Sequence, residues 1–255
     1  MTATPAGMTY AHYLRLDQIL TAQQPLSDLH DETLFIVIHQ TMELWMKELL
    51  HELRLAIQLI GEDRFAEAYK AMARISRIQA VMTLSWDVLS TLTPVDYLKF
   101  RDVLGTSSGF QSSQFREIEF GLGLKNPAFL EHYPQESPER AALKAALDQP
   151  SLREASIAAL QRSEFDVGDG SVQALAAAWL QVYRDEERWF ELYELAEKLV
   201  DIDDALASWR HKHVLTVERI IGGKRGTGGS AGAPYLRSTL DKRIFPELWA
   251  LRTDL

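Results

Sequence analysis

Cysteine is absent from all 255 residues. That absence excludes disulfides, thiolate metal sites and cysteine nucleophiles, and it is compatible with the reducing cytoplasm expected for this chain. Basic charge is also scarce: 27 lysines and arginines face 36 acidic residues, for a net charge of -9. A chain of this balance has no global attraction for nucleic acid or anionic membrane, although a small cationic pocket stays open to it. No run approaches 18 apolar residues, so no transmembrane helix is expected. Met1 to Thr9 has neither a basic start nor an apolar stretch, so a signal peptide is not expected either. Sustained period-two alternation is missing, which predicts little β-structure. There is no fixed-period repeat and no low-complexity tract.

What remains is helical pattern nearly throughout. Between Asp31 and Ile60 the apolar residues Leu34, Ile38, Met42, Trp45, Leu49, Leu53 and Ile57 fall at steps of three and four and define one stripe. Asp31 reads as its N-cap and Gly61 as its stop. Phe65, Tyr69, Met72, Ile75, Met82, Trp86 and Leu89 define a second helix. Thr93-Pro94 reads as the cap and first residue of a short third helix. That helix carries Tyr97, Arg101 and Leu104 on one face and ends near Gly105. A turn at Thr106 to Gly109 then leads into helix from Phe110 to Leu122.

Lys125 to Gly170 is polar and holds Pro127, Pro134, Pro138 and Pro150. It reads as short helices and loops, a small excursion from the main body. Two long helices are expected over Val172 to Val200 and Asp203 to Ile221. A flexible loop from Gly222 to Pro234 and a closing helix from Tyr235 to Trp249 complete the chain. The expectation is an all-α bundle of long helices in a single domain spanning 1-255. Its 46% apolar content is enough to fill a sizeable core.

None of the seven histidines forms a His-Glu-x-x-His pair, which argues against a zinc-protease site. His211 and His213 lie two apart and point to different helix faces, so they cannot share a metal. A local three-ligand zinc site cannot be assembled. Haem needs only one protein ligand, because the porphyrin supplies four nitrogens. His213 is the better axial candidate, since Leu206, Trp209, Val217 and Ile220 place it in an apolar stripe that His211 leaves. Spacing alone leaves two readings, a hydrogen-bonded core histidine or a metal ligand.

His39 follows Phe35 by one turn. The pair is either simple helix packing or a pocket wall whose imidazole accepts a hydrogen bond from an N–H group. Tyr97 and Arg101 are also one turn apart. Arg101 is either a surface partner of an acid or a fork for a substrate carboxylate. Gly222 to Ser230 fails as a phosphate loop, lacking a preceding strand and a terminal Lys-Ser/Thr pair. It is a linker or a lid that closes over substrate. Serine–histidine–aspartate catalysis receives no support. The acidic pairs Glu186-Glu187 and Asp203-Asp204 read as solvated helix faces.

Several blocks taken together resemble one family. Tyr10-Ala11-His12-Tyr13-Leu14-Arg15-Leu16-Asp17 is similar to the opening motif of tryptophan 2,3-dioxygenases. Phe35 to His39, with Gln40-Thr41 and Glu43-Leu44-Trp45, resembles their first long helix. Phe100 to Gly105, followed by Ser107-Ser108-Gly109-Phe110-Gln111-Ser112, resembles their most distinctive block. Arg225 to Ser230 and Phe245-Pro246-Glu247-Leu248-Trp249 resemble the C-terminal signature. The likeness runs from Tyr10 onward, in family order. Ala231-Gly232-Ala233-Pro234 departs from the usual lid sequence.

The resemblance implies haem-dependent insertion of O2 across the indole C2–C3 bond of L-tryptophan, giving N-formyl-L-kynurenine. It implies one haem b per subunit, with His213 as the axial ligand and the haem pocket between helices. His39 would be the catalytic base near the indole N–H. Arg101 would bind the carboxylate, and Thr227 the carboxylate and ammonium as its loop closes. Phe35, Tyr97, Leu104 and Ser108 would line the pocket and the haem edge. The family also implies a homotetramer in which Tyr10, Tyr13 and Leu14 reach into a neighbour's indole pocket. A monooxygenase of the same family acting on a substituted tryptophan, and a haem sensor without turnover, are the competing readings.

Overall fold

The computed structural model describes residues 7–255, so most of the Met1 to Thr9 expectation lies outside the described residues. These form twelve α-helices and four 3₁₀ segments, with no strand among them. Two short helices, α1 (Tyr10–Tyr13) and α2 (Leu16–Ile19), precede the long α3 (His30–Gly61) and α4 (Phe65–Leu89). The small α5 (Pro94–Phe100) and α6 (Ser113–Leu122) follow, then α7 (Pro138–Asp148), α8 (Leu152–Arg162) and α9 (Val172–Arg184). The second 32-residue helix, α10 (Phe190–Ile221), precedes two short ones, α11 (Ala233–Arg237) and α12 (Pro246–Ala250).

α4 packs against both α3 and α10, and these three long helices carry the main core. The stripes expected in the sequence face inward there, with Leu49, Leu53, Met72 and Ile75 almost fully buried, and Leu199 and Ile202 of α10 are buried against them. The polar excursion holds a smaller apolar cluster of its own. Tyr133 and Leu143 close over Phe120 of α6, with Phe129 and Leu130 packed alongside.

Several boundaries differ from the sequence expectation, each for a visible reason. The cap of α3 is Leu29, and Asp31 sits inside the first turn. The carboxylate that organises this end is Glu32, which reaches back to the Leu26 and Ser27 amides at 2.7 and 2.8 Å. Thr93 caps α5 as expected, accepting from the Asp96 amide, with Pro94 at the first turn. α5 stops at Phe100, however, and Arg101–Leu104 continues as 3₁₀ helix. Gly109–Gln111 is likewise 3₁₀, and α6 begins only after its cap Ser112.

The late helices divide elsewhere than expected. α10 runs unbroken through 200–203, because Leu199, Ile202 and Leu206 keep one buried stripe across that point. The break falls instead at the charged run Asp185 to Arg188, where Asp185 accepts from the amides of Arg188 and Trp189. Asp203 is not a solvated acid. It is 1% exposed and accepts from the Ile244 and Phe245 amides and the Trp249 indole. That capture of backbone amides, together with Pro246, splits the expected closing helix into α11 and α12. The glycine-rich loop ends at Gly232, and Pro234 lies in the first turn of α11.

Candidate active site

A cavity of about 790 Å³ opens between α3, α4, α10 and the loops after α5 and α10. α3 supplies Phe35 and His39, α4 supplies Trp86, and α10 supplies Trp209 and His213. Tyr97, Arg101, Leu104 and Ser108 enter from α5 and the segment after it, and Thr227 from the glycine-rich loop. Phe35 and Thr227, 192 positions apart in the chain, thus line one cavity. Tyr10 and Tyr13 are exposed on α1, Leu14 is half-buried, and all three lie outside this cavity.

The imidazole of His39 is held by its own helix. Its Nδ1 lies 2.7 Å from the Phe35 carbonyl, one turn back. A carbonyl only accepts, so Nδ1 carries the proton and Nε2 keeps its lone pair. The Phe35 ring tilts over the imidazole with centroids 4.2 Å apart, and Tyr97 and Phe100 pack against Phe35. Burial pushes the His39 pKa down, against smaller opposing pulls from the Phe35 carbonyl and Glu43.

His213 is stacked on Trp86, with ring centroids 4.4 Å apart and planes 5° from parallel. Trp209 tilts against the same ring at 5.2 Å. Burial drives the His213 pKa down to about 3, and the charge of His39 adds a smaller push. Neither ring nitrogen of His213 has a hydrogen-bond partner among the described residues, unlike His39. His211 points to solvent.

Arg101 is half-buried and pairs with no carboxylate among the described residues, which removes the surface-ion-pair reading. One terminal nitrogen donates to the Arg225 carbonyl of the loop, and its Nε is buried without a partner among the described residues. Such an orphan donor beside a cavity marks a place for an acceptor. Burial raises the pKa of neighbouring Tyr97, against the pull of Arg101.

The glycine-rich loop is folded against this side of the cavity. The Thr227 hydroxyl donates to the Ser107 carbonyl. Gly228 touches Ser108 so closely that a Cβ would lie 2.7 Å from the Ser108 Cβ. Gly226 and Ser230 pair through N–H···O at 3.2 Å, and Arg225 reaches the Gly229 carbonyl at 3.1 Å. The loop is therefore a structured cover more than a linker.

Two features of the cavity wall escaped the sequence. One is the Trp86–Trp209 pair around His213, which read only as core positions. The other is a buried ionic triad: Glu119 takes Arg116 at 2.6 Å and Arg210 at 2.8 Å. No spacing rule joins residues 116 and 210, so only the fold reveals it.

The family model described as tryptophan 2,3-dioxygenase matches residues 1–164 and 131–255. A tryptophan 2,3-dioxygenase from Caulobacter vibrioides is 60% identical, over 97% of this chain and 98% of the relative. Its counterpart from Bacillus cereus is 51% identical, over 98% and 93%. The chain belongs to the tryptophan 2,3-dioxygenase family. A further relative, tryptophan 2,3-dioxygenase 1 of Ralstonia nicotianae, is 51% identical over 98% of this chain and 88% of its own length.

Gly105 to Gly109 and Gly228 to Gly232 formally match the Gly-x-Ser-x-Gly string, yet no strand precedes either and neither serine hydrogen-bonds a histidine. Among the described residues no helix is long and apolar enough to cross a membrane.

Proposed function

We propose that this member of the tryptophan 2,3-dioxygenase family converts L-tryptophan and O2 into N-formyl-L-kynurenine with one haem b per subunit, held by His213. The observation that carries this reading is the pairing of two differently committed histidines in one cavity. His39 is locked by a backbone carbonyl, whereas neither nitrogen of His213 has a hydrogen-bond partner among the described residues. The residues fit a porphyrin. Among the described residues no three His, Cys, Asp or Glu side chains converge on a metal, and a porphyrin brings four donors of its own. The cavity volume of about 790 Å³ falls within the range of cofactor sites.

When bound, the haem supplies the activation of oxygen; the chain supplies placement. The Arg101 guanidinium receives the substrate carboxylate through its uncommitted donors. Thr227 adds a hydroxyl at the carboxylate and ammonium end as the loop seats. His39 accepts the indole N–H at Nε2, fixing which edge of the ring faces the reacting centre. Phe35, Tyr97, Leu104 and Ser108 shape the remaining walls. Both oxygen atoms enter the product as the C2–C3 bond breaks. Fixing both reactants removes a barrier contribution of about 7–11 kcal/mol. The closed loop also keeps water from the reacting groups.

The chain works as one domain in this reading, because α3, α4, α5 and α10 all reach the same site. The reading extends to a homotetramer in the cytoplasm, with Tyr10, Tyr13 and Leu14 of one copy completing a neighbour's indole pocket. Two exposed features support it. Tyr10 and Tyr13 are 76% and 75% exposed. A solvent-facing stripe of Val37, Leu44 and Leu55 on α3 accompanies Val81, Leu84 and Val88 on α4. Sedimentation should give four chains per particle, and Leu44→Glu should shift it to smaller species; a monomeric wild-type protein refutes the assembly.

The deciding experiment is an absorption spectrum of purified, haem-loaded protein before and after addition of tryptophan and oxygen, with product mass. A His213-dependent haem spectrum and a product two oxygen atoms heavier than tryptophan are expected. A gain of one oxygen atom would instead mark a monooxygenase, and haem without oxygen consumption a sensor.

A further inference from the structure

Among the described residues, three buried polar atoms without partners belong to side chains on the cavity wall that carries His213. They are the indole nitrogens of Trp86 and Trp209 and the hydroxyl of Thr216. The three residues are 4%, 7% and 2% exposed, and all line the same cavity as His213. Native proteins rarely leave such groups unpaired, and a cluster of them marks an unseen partner.

Thr216 is unusual within its own protein. Thr41 and Thr83 donate to the carbonyl one turn back, at 2.7 and 2.9 Å, as helical threonines commonly do. Thr216 makes no such bond. It lies three residues after His213 on α10, on the same helix face. His213 shows the same lack of commitment: it makes no bond to the carbonyl one turn back, although His39 does. Both groups are left free for each other or for something between them.

The chemistry of the set limits what that something is. An indole N–H only donates, so neither tryptophan can accept the imidazole N–H. Thr216 Oγ1 is the one acceptor among the three orphans. A water molecule completes the set, because it accepts from the imidazole N–H and an indole N–H and donates to Thr216. Buried waters typically hold two to four polar partners.

We infer that Thr216, with the Trp86 indole, forms through one buried water the outer hydrogen-bond shell of His213: the water accepts from the imidazole and the Trp86 N–H and donates to Thr216 Oγ1. This rests on the haem reading above. Metal-bound histidines usually give their second N–H to an acceptor, often a carboxylate, which raises their basicity. Here the acceptor is neutral. Asp87, the residue after Trp86 in the chain, is spent on Lys212 at the surface. The shell therefore fixes the ring's tautomer and rotation while leaving the imidazole neutral, a moderate donor to iron. Thr216 acts through His213 and is a positioning residue.

The test compares haem-loaded wild-type protein with Thr216→Val, Thr216→Ser and Trp86→Phe. The readouts are the iron–histidine stretching band of the ferrous protein and the haem midpoint potential. Thr216→Val, which removes the oxygen at nearly constant volume, should move the band to lower frequency and raise the potential. Thr216→Ser should restore both toward wild type, and Trp86→Phe, which keeps the stacked ring, should shift them in the same direction as valine by less. Helical circular dichroism checks that each variant is folded. If band and potential stay fixed in Thr216→Val while the spectrum still depends on His213, the shell is wrong and the haem reading survives. A wild-type protein that takes up no haem overturns both.

Discussion

At the scale of single residues, the proposed site leaves particular atoms without partners among the described residues. Arg101 spends one donor on the loop and keeps Nε free in a buried place. Arg101→Ala should weaken tryptophan binding by about 1.5–3 kcal/mol, roughly 10- to 150-fold. Titration of the loaded protein with L-tryptophan checks it, and unchanged affinity would refute the clamp. His39 makes the second prediction. Its pKa is lowered below the ordinary 6.5 by burial, so at neutral pH the ring is neutral and able to accept. The pH profile of kcat/KM should therefore fall only on the acid side, through a pKa below 6.5, and His39→Ala should lack that limb. The same shift has a stability consequence of defined sign. On acidification the unfolded chain takes the proton first. The contribution of His39 is thus whole above about 6.5 and declines as pH falls from there to the folded pKa.

Much of this was legible from residue types and spacing. Phe35 and His39, and Tyr97 and Arg101, are neighbours by helix geometry alone, and the structure places both pairs on the cavity wall. What the spacing left open was which of two roles each held. Tertiary contacts bore only on the ion-pair alternative for Arg101, because whether a carboxylate of the described residues meets it depends on what the rest of the chain brings near.

At the scale of elements, the cover over the site depends on glycine at one turn. Gly232 has φ +71, and a Cβ there would lie 2.4 Å from the Lys224 carbonyl. The residue ends the loop and opens α11, so side chains at this point carry both backbone strain and a clash. Gly232→Ala should keep the loop from seating on Arg101 and Ser107. KM for tryptophan should rise several-fold while Tm changes little, because the loop adds nothing to the main core. Equal KM in both proteins would show that seating is irrelevant to binding. Helix ends were the least readable elements. Thr93-Pro94 was legible because its signal is local. The split of the expected closing helix was not, since Asp203, some forty residues earlier, takes the amides of Ile244 and Phe245.

At the scale of the whole molecule, α3, α4 and α10 form the frame, and a buried ionic triad ties α6 to α10. Arg116, Glu119 and Arg210 are each 6% exposed or less. Removing the shared carboxylate would leave two buried guanidiniums facing each other. Glu119→Ala should therefore destabilise the protein by about 3–5 kcal/mol, read as a lower denaturant midpoint with an unchanged slope. A loss below 1 kcal/mol would mean that water already screens the triad.

The sequence by itself determined the all-α class, the long amphipathic stripes and the two helical pairs of site residues, because these follow from periodicity within one or two turns. It also carried the family likeness, which is a property of ordered blocks and needs no coordinates. Only the tertiary structure decided that α10 runs unbroken, that Asp203 is an internal cap, and that Trp86 of α4 stacks on His213 of α10. Those facts depend on where distant segments meet, and hydrogen-bond demand in a buried place is set by neighbours that no local pattern encodes.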